Sequence, residues 1–306
     1  MENSRRFLPA AMFLILLVTT GCSVRRFAVR RVGDAIASSG TTFASDDDPQ
    51  LVRDAVPFSL KLIESLLAET PRHQGLLLAA SRGFTQYAYA FIQEDADEME
   101  TRDFAASSEF RIRAKRLYLR ARDYAVRGLE VKYPEFGKAI RENPQSAVSK
   151  VTKASDVPLL YWAAASWGAA ISVSKDDPNL IADQLVVEAL IDRALRLDEK
   201  FEDGSIHGFL INYELARQGA AGNAAARSKQ HFERAMELSE GKLASPLVSY
   251  AEAVCVTTQN RTEFESLLKR ALAIDVNARP KSKIENLVMQ RRARWLLART
   301  EELFTN

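Results

Sequence analysis

A nine-residue phrase that occurs three times in the second half of this 306-residue chain constrains its fold more than any other feature. The copies occupy residues 190–198, 231–239 and 267–275. From its second position onward, each copy has the pattern apolar-x-Arg-Ala-apolar-x-aliphatic-Asp/Ser, where x varies. Because a small Ala on an apolar helix face lets a second helix approach closely, the phrase predicts a repeated helical hairpin.

The spacing of the three copies resembles that of tetratricopeptide repeats, in which a pair of helices recurs about every 34 residues. The second helix of that repeat ends in a similar Ala-Leu-x-Leu-Asp phrase. The central alanines here are 41 and 36 residues apart, and loops such as 219–223 account for the longer period. We therefore expect the first helices of two units at about residues 205–217 and 244–257.

Helical periodicity extends through the rest of the chain from residue 49 onward. Residues 73–99 and 102–133 are long helix candidates, and apolar side chains of the second form one stripe. Only 13 Gly and 10 Pro occur, and no sustained alternation of apolar and polar residues predicts a strand. The chain is therefore predicted to be all-α, with residues 49–306 forming one compact domain of stacked helical hairpins.

The N-terminus has the features of a bacterial secretion signal followed by a lipid anchor. Arg5 and Arg6 precede an apolar run at 10–18, which is too short for the roughly 20 residues that span a bilayer. The run ends in Thr-Thr-Gly-Cys, which resembles a lipobox with Thr19 in place of the usual aliphatic residue. We predict a signal peptide at 1–21, lipid attachment at Cys22 and a tether at 22–48. The alternative is a free Cys inside an uncleaved anchor.

Lipidation would determine where the protein resides. Acyl chains on Cys22 contribute about 0.8 kcal/mol per buried methylene, so several chains hold a folded domain on a membrane. Ser23 follows the Cys instead of the Asp that retains lipoproteins on the inner membrane, so we expect the periplasmic side of the outer membrane. Arginines at 25, 26, 30 and 31 either contact anionic headgroups or belong to a solvated tether. The covalent lipid is the only prosthetic group predicted.

Composition and spacing provide no motif for catalysis or metal binding. The net charge is +2, from 42 basic and 40 acidic residues, which predicts no nucleic-acid partner. Three His and two Cys occur without metal-ligand spacing, and no nucleophile elbow or phosphate-binding Gly-rich loop is present. Cys255 lies in an apolar stretch and is predicted to be a buried small hydrophobic residue. The prediction is a non-enzymatic protein with no catalytic residue and no metal site.

Two charged clusters lie close together in sequence. We expect them to form solvated, mutually compensating faces of two helices joined by a turn near Thr101, because a surface turn does not supply the burial needed to tune carboxylates for catalysis. The acidic cluster contains Glu94, Asp95, Asp97, Glu98, Glu100 and Asp103, and the basic one contains Arg111, Arg113, Lys115, Arg116, Arg120 and Arg122.

An aromatic helix is predicted at residues 157–171, where Tyr161, Trp162 and Trp167 stand among Ala, Ser and Gly. One interpretation is core packing, in which small residues bring helices close and the large rings fill the gaps. The other is an aromatic-lined groove or channel for an apolar ligand. The sequence leaves both open.

Taken in order, these phrases resemble one family of bacterial lipoproteins over nearly the whole mature chain. The family is the tetratricopeptide-repeat lipoproteins associated with TRAP transporters, called the T component. The resemblance is carried by Cys22, Asp47-Asp48-Pro49, Arg116-Leu117-Tyr118 to Arg127-Gly128-Leu129, Leu160-Tyr161-Trp162, Trp167-Gly168, Leu197-Asp198, Gly204, His207-Gly208, 231–235, Asn286 to Ala293, and Trp295-Leu296-Leu297.

The resemblance implies a periplasmic helical lipoprotein that forms a homotrimer with a pore through each protomer. It also implies docking of the periplasmic solute-binding protein of a TRAP transporter, with transfer of a small apolar ligand. Tyr161, Trp162 and Trp167 are candidate ligand or pore residues, and no catalytic residue carries over. The alternative function is an envelope-assembly scaffold lipoprotein that has similar repeats and a protein complex as its partner.

Overall fold

The computed structural model describes residues 31–36 and 41–305, and Cys22 lies outside them. Every regular element in these residues is helical, which confirms the all-α prediction. Residues 31–36 form a first helical stretch. The α-helices that follow are α1 (Thr41–Ala44), α2 (Pro49–Glu69), α3 (Gln74–Tyr87), α4 (Glu94–Met99), α5 (Phe104–Glu130), α6 (Phe136–Glu142), α7 (Pro144–Ser149), α8 (Val157–Ser172), α9 (Pro178–Ala182), α10 (Gln184–Leu197), α11 (Ser205–Ala216), α12 (Ala224–Leu238), α13 (Ser245–Tyr250), α14 (Arg261–Leu272), α15 (Lys283–Ala298) and α16 (Thr300–Leu303).

Two π-helical segments interrupt this series. Ala88–Gln93 joins α3 to α4 without a break, and Ala251–Cys255 extends α13. The long helix predicted at 73–99 is therefore present with a π-helical middle. Single-turn π-helical segments inside α-helices occur frequently at functional sites.

Each copy of the repeated phrase lies at the end of the second helix of a hairpin, as predicted. The three copies end α10, α12 and α14, which pack against α8, α11 and α13 respectively. The first helices expected at 205–217 and 244–257 are observed as α11 and as α13 with its π-helical extension. Packing explains why Ala recurs at the same position of each copy, because Ala194, Ala235 and Ala271 are all buried at helix contacts.

Side-chain caps fix several helix starts. Asp48 accepts hydrogen bonds from the backbone N–H groups of Gln50 and Leu51 at 2.9 and 3.0 Å, and Pro49 occupies the first turn of α2. Asp103 caps α5 by accepting from Ala106 N at 3.0 Å. The caps satisfy backbone donors that a helix leaves free at its start, so the sequence determines these boundaries locally.

Three hydrophobic clusters hold the hairpins together. The first joins α8 and α10 with the ends of α5 and α11, the second lies among α2, α3 and α5, and the third lies among α13, α14 and α15. Cys255 is fully buried in the third cluster, as predicted, and burial raises the pKa of its thiol to about 12. The described part of the chain contains no helix long and apolar enough to cross a membrane.

The last long helix returns to the beginning of the chain. Lys283 of α15 pairs with Asp47 at 3.3 Å, and Arg291 pairs with Asp95 and Glu98 of α4 at 2.9 and 2.7 Å. Helix α15 also packs directly against α1 and α2. The hairpin array therefore closes on itself, with α15 packed against the first helices of the domain.

Candidate functional site

Helices α3, α13 and α15, which we call the inner helices, each carry a row of side chains spaced three or four residues apart, and the three rows face one another. Contacts between the rows, which include the hydrogen bonds Ser245–Glu285 and Tyr89–Met289, show that they face one another. The rows are Arg82, Gln86 and Tyr89 on α3 and its π-helical extension, Ser245, Ser249 and Glu252 on α13 and its extension, and Glu285, Met289 and Arg292 on α15.

One end of these rows meets the aromatic helix α8. The ring of Tyr161 lies edge-on to Trp162, with centroids 5.0 Å apart, and 5.2 Å from Phe201. The guanidinium of Arg82 lies 5.7 Å from the Trp162 ring centroid and pairs with Glu202 at 3.3 Å. We call Arg82, Tyr161, Trp162, Glu202 and Glu285 the Tyr161 cluster.

The two glutamates of the Tyr161 cluster are exposed to water yet surrounded by protein. Glu285 is exposed, and its Oε1 accepts a hydrogen bond from Ser245 Oγ at 2.7 Å. Its pKa is nevertheless raised, chiefly because the surrounding protein displaces water from the carboxylate. The pKa of Glu202, also exposed, is raised for the same reason. From exposure to water combined with enclosure by protein, we infer that these carboxylates face a concave surface.

A strained turn forms the rim of this concavity. Glu202, Asp203 and Gly204 are three consecutive residues with positive φ, at 42°, 59° and 97°. Gly204 is required here, since a Cβ would come within 3.1 Å of Leu238 Cβ in addition to the unfavourable φ. The turn directs Glu202 toward Arg82 and Asp203 toward Arg279 and Lys281, at 3.1 and 2.7 Å. Such strained residues cluster at active sites, ligand clamps and switch regions.

Open space borders α11 at Gly208. Gly208 lies one helical turn after Ser205, and Ser205 is close to the Tyr161 hydroxyl. A Cβ added at Gly208 would meet no atom within 4 Å. Gln86, in the adjacent row, is exposed although both its chain neighbours are buried. Water therefore reaches the row of α3 at Gln86, and open space is present at Gly208.

The other end of the rows is filled by a buried ionic group. Arg292 Nη1 lies 2.8 Å from Asp97 Oδ2 and 3.4 Å from Glu94 Oε2, and its other nitrogens bind both carboxylate oxygens of Glu252. The Arg292 side chain is 8% exposed and stacks on Trp295, 4.4 Å from the ring centroid. We call Tyr89, Glu94, Asp97, Glu252 and Arg292 the Arg292 cluster.

Glu94 carries the unbalanced charge of the Arg292 cluster. It is 1% exposed, and its Oε1 has no hydrogen-bond partner among the described residues. Burial raises its pKa to about 7, with Arg292 opposing the shift and Glu252 and Asp97 adding to it. The nearby Tyr89 hydroxyl contacts Met289 Sδ at 3.6 Å. At neutral pH the Arg292 cluster therefore exists with Glu94 both protonated and ionised.

Comparison with known proteins gives the family. A model of the TRAP transporter T-component matches residues 45–304, which is nearly all of the described chain. This chain belongs to the TRAP transporter T-component family. An "Uncharacterized protein" of Treponema pallidum (strain Nichols) is 29% identical over 309 residues, covering 95% of this chain and 96% of that relative. The resemblance inferred from the sequence is confirmed, and the T-component has a role associated with TRAP transport.

The structure places the three candidate aromatic residues of the T-component in two locations. Tyr161 and Trp162 lie together in the Tyr161 cluster. Trp167 is 1% exposed, donates from Nε1 to Asp183 Oδ2 at 3.0 Å, and lies between Arg122 and Arg141, each guanidinium 4.9 Å from the ring centroid. Its surroundings are those of a packing residue, and Tyr161 packs against the same hydrophobic cluster. The predicted lipid site, Cys22, is outside the described residues.

The acidic and basic clusters do not form the solvated, mutually compensating helix faces that we expected from the sequence. Only Arg111 of the basic cluster pairs with the acidic one, through Asp97 and Glu100 at 3.2 and 2.8 Å. The acidic residues mainly bind arginines from distant helices, namely Arg53, Arg291 and Arg292. The expectation was wrong for Glu94 in particular, because closure of the array buries it against α15.

Sequence analysis also missed a histidine pair between α11 and α12. Nδ1 of His207 and Nδ1 of His231 are 2.9 Å apart, so one ring donates to the other. Burial lowers the pKa of His207 to about 4 and also lowers that of His231, so both are neutral at pH 7. No group of three His, Cys, Asp or Glu in the described residues could hold a metal ion. The pair links α11 and α12, the two helices of one hairpin.

Proposed function

We propose that this T-component is a non-enzymatic periplasmic lipoprotein that docks a solute-binding protein of a TRAP transporter and assists uptake of a small ligand. The family match over residues 45–304 is the observation that carries the proposal. The concave Tyr161 cluster adds support, because it combines aromatic walls, a few charged groups and free space, as small-molecule sites generally do. In this proposal the ligand occupies the Tyr161 cluster while passing to or from the docked protein.

The proposed ligand path runs along the facing rows of the inner helices. Its Tyr161 end is accessible to water, whereas its other end is filled by Arg292 and the buried carboxylate of Glu94. A pore through the protomer would require the Arg292 cluster to rearrange, so that cluster is the proposed gate. Homotrimer formation is part of the same proposal and rests on the family.

The proposed location is the periplasmic side of the outer membrane, with the lipid on Cys22 as the anchor. The supporting features are the apolar run at 10–18, Cys22 after Gly21, and Ser23 in the position that follows the Cys. A lipid tether would keep the helical domain close to a membrane while leaving its surfaces available to a soluble partner.

The deciding experiment is a crosslinked pull-down from intact cells, with the lipid-anchored protein as bait. We expect recovery of a solute-binding protein encoded with TRAP membrane components. A matched bait with the same signal and anchor but an unrelated periplasmic domain controls for crowding at the membrane. Recovery of outer-membrane assembly proteins and no solute-binding protein would contradict the proposal and favour an envelope-assembly scaffold.

A further inference from the structure

We propose that the Tyr161 cluster binds the protonated amine of a small amphiphilic ligand, with Glu285 as the counter-ion and the aromatic rings as its walls. This rests on the proposed function, since it names the chemical class of the ligand that the concavity receives. The contacts of the carboxylates, the arrangement of the rings and the free space beside them each support it.

Glu285 is the carboxylate in this concavity that forms no direct ion pair among the described residues, although Arg82 is near enough for its charge to oppose the rise that burial causes in the Glu285 pKa. Glu202 pairs with Arg82 at 3.3 Å, and the neighbouring Asp203 pairs with both Arg279 and Lys281. The Glu285 carboxylate instead accepts one hydrogen bond from the neutral hydroxyl of Ser245. A carboxylate that is enclosed yet unpaired retains the capacity for a charge-assisted hydrogen bond with a cation from solution.

Three aromatic rings lie in this region, with Tyr161 and Phe201 half-buried and Trp162 buried. Tyr161 and Trp162 meet edge to face at 5.0 Å, and Phe201 lies 5.2 Å from Tyr161. Aromatic faces attract ammonium and guanidinium groups through the ring quadrupole. Arg82, 5.7 Å above Trp162, shows that this wall already accommodates one cation. Burial raises the pKa of the Tyr161 hydroxyl, and the nearby charges of Glu202 and Glu285 add to the rise.

The same geometry disfavours an anionic headgroup. Arg82 is engaged by Glu202 and Trp162, and Arg279 and Lys281 are engaged by Asp203. A ligand carboxylate entering beside Tyr161 would therefore meet the unpaired charge of Glu285. An alkyl body of the ligand has room in the open space at Gly208 and can contact the half-buried ring of Phe201.

The test compares n-hexylamine, n-hexanol and n-hexanoate, which share one alkyl chain and differ in headgroup charge. Their binding to the purified full-length protein is measured by isothermal titration calorimetry at neutral pH. We expect hexylamine to bind about tenfold more tightly than either of the other two, corresponding to one charge-assisted contact. Glu285→Gln should abolish this preference, and Glu285→Lys should reverse it toward hexanoate.

Glu109→Gln is the matched control, because Glu109 is exposed on α5 and forms no ion pair in the described structure. It should leave the amine preference unchanged, and melting curves should show that all three variants are folded. Equal or tighter binding of hexanoate to the unmodified protein would overturn the amine proposal and leave ligand binding in the concavity intact. Failure of all three compounds to bind would also overturn it. Docking is tested separately by the pull-down, so failure of the proposed function is distinguishable.

Discussion

Arg292 and Glu94 are 198 positions apart in sequence, and their side chains meet in the protein interior at 3.4 Å. The contact joins α15, near the end of the chain, to the beginning of α4. Arg292 also binds Asp97 and Glu252, so one guanidinium connects the first and last thirds of the domain. Closure of the helical array and the concavity inside it therefore depend on a residue that no local pattern distinguishes.

Replacing Arg292 by Met should destabilise the protein strongly. The substitution removes the cation from a site where Glu94, Asp97 and Glu252 remain, leaving buried or half-buried carboxylates without compensation. Breaking a buried ion pair in this way costs about 3–5 kcal/mol. The free energy of unfolding from urea titrations at pH 7 measures the effect.

Arg294→Met provides the matched control for that measurement. Arg294 lies two positions further along α15, is exposed, and forms no ion pair among the described residues. Its replacement should change the free energy of unfolding by less than about 0.5 kcal/mol. Equal losses in the two variants would mean that Arg292 acts through its position on α15 and not through the buried carboxylates.

The raised pKa of Glu94 should produce a distinctive dependence of stability on pH. In the unfolded chain the carboxyl titrates near 4.5, whereas in the folded protein its pKa is about 7. Between these values the folded state binds the proton more tightly, so the contribution of Glu94 to stability falls as pH rises from 4.5 to 7. Above pH 7 the cost of the buried charge is fully present.

Glu94→Gln isolates this contribution, because Gln does not titrate and the histidine pair is common to both proteins. The difference in free energy of unfolding between the variant and the unmodified protein should shift by about 2–3 kcal/mol in favour of the variant as the pH rises from 5 to 8. The free energies of unfolding of both proteins at several pH values in this range give the difference. A difference that is constant with pH would show that Glu94 has an ordinary pKa in the folded state.

Local sequence signals were sufficient to predict most of the helices. The repeated Arg-Ala phrase located α10, α12 and α14, because each Ala lies at a close helix contact that only a small residue permits. The π-helical segment Ala88–Gln93 gave no such signal. Its residues are compatible with an α-helix, and its geometry accompanies contacts such as that of Tyr89 with Met289, 200 positions away.

The candidate site was predicted only in part for the same reason. Tyr161 and Trp162 stood out because large rings among small residues are unusual along one helix. Arg82, Glu202 and Glu285 come from three other elements and are ordinary surface residue types in sequence. Their grouping follows from closure of the array, which periodicity and composition do not specify. The consecutive positive-φ residues at 202–204 became visible only in the folded backbone.

The proposed lipid anchor leads to a prediction that does not depend on the described residues. Cys22→Ser should release the protein from membranes into the soluble periplasmic fraction, because it removes the thiol that we propose as the site of acylation. Fractionation of cells expressing either form, followed by immunoblotting, measures this. Ser23→Ala, which retains the Cys, should stay with the membrane. Continued membrane association of the Cys22→Ser protein would exclude the lipobox interpretation.

Packing against the aromatic helix should make Gly168 intolerant of large residues. A Cβ at this position would lie 3.2 Å from two ring atoms of Phe209 and 3.5 Å from Val187, so Gly168→Leu overfills the contact between α8 and its neighbours. We expect a loss of about 1–3 kcal/mol, measured by thermal and chemical unfolding. Gly208→Ala is the control, because its Cβ meets no atom and Ala favours the helix by about 1 kcal/mol. If Gly168→Leu melted like the unmodified protein, the contact of α8 with Phe209 and Val187 would not be closely packed.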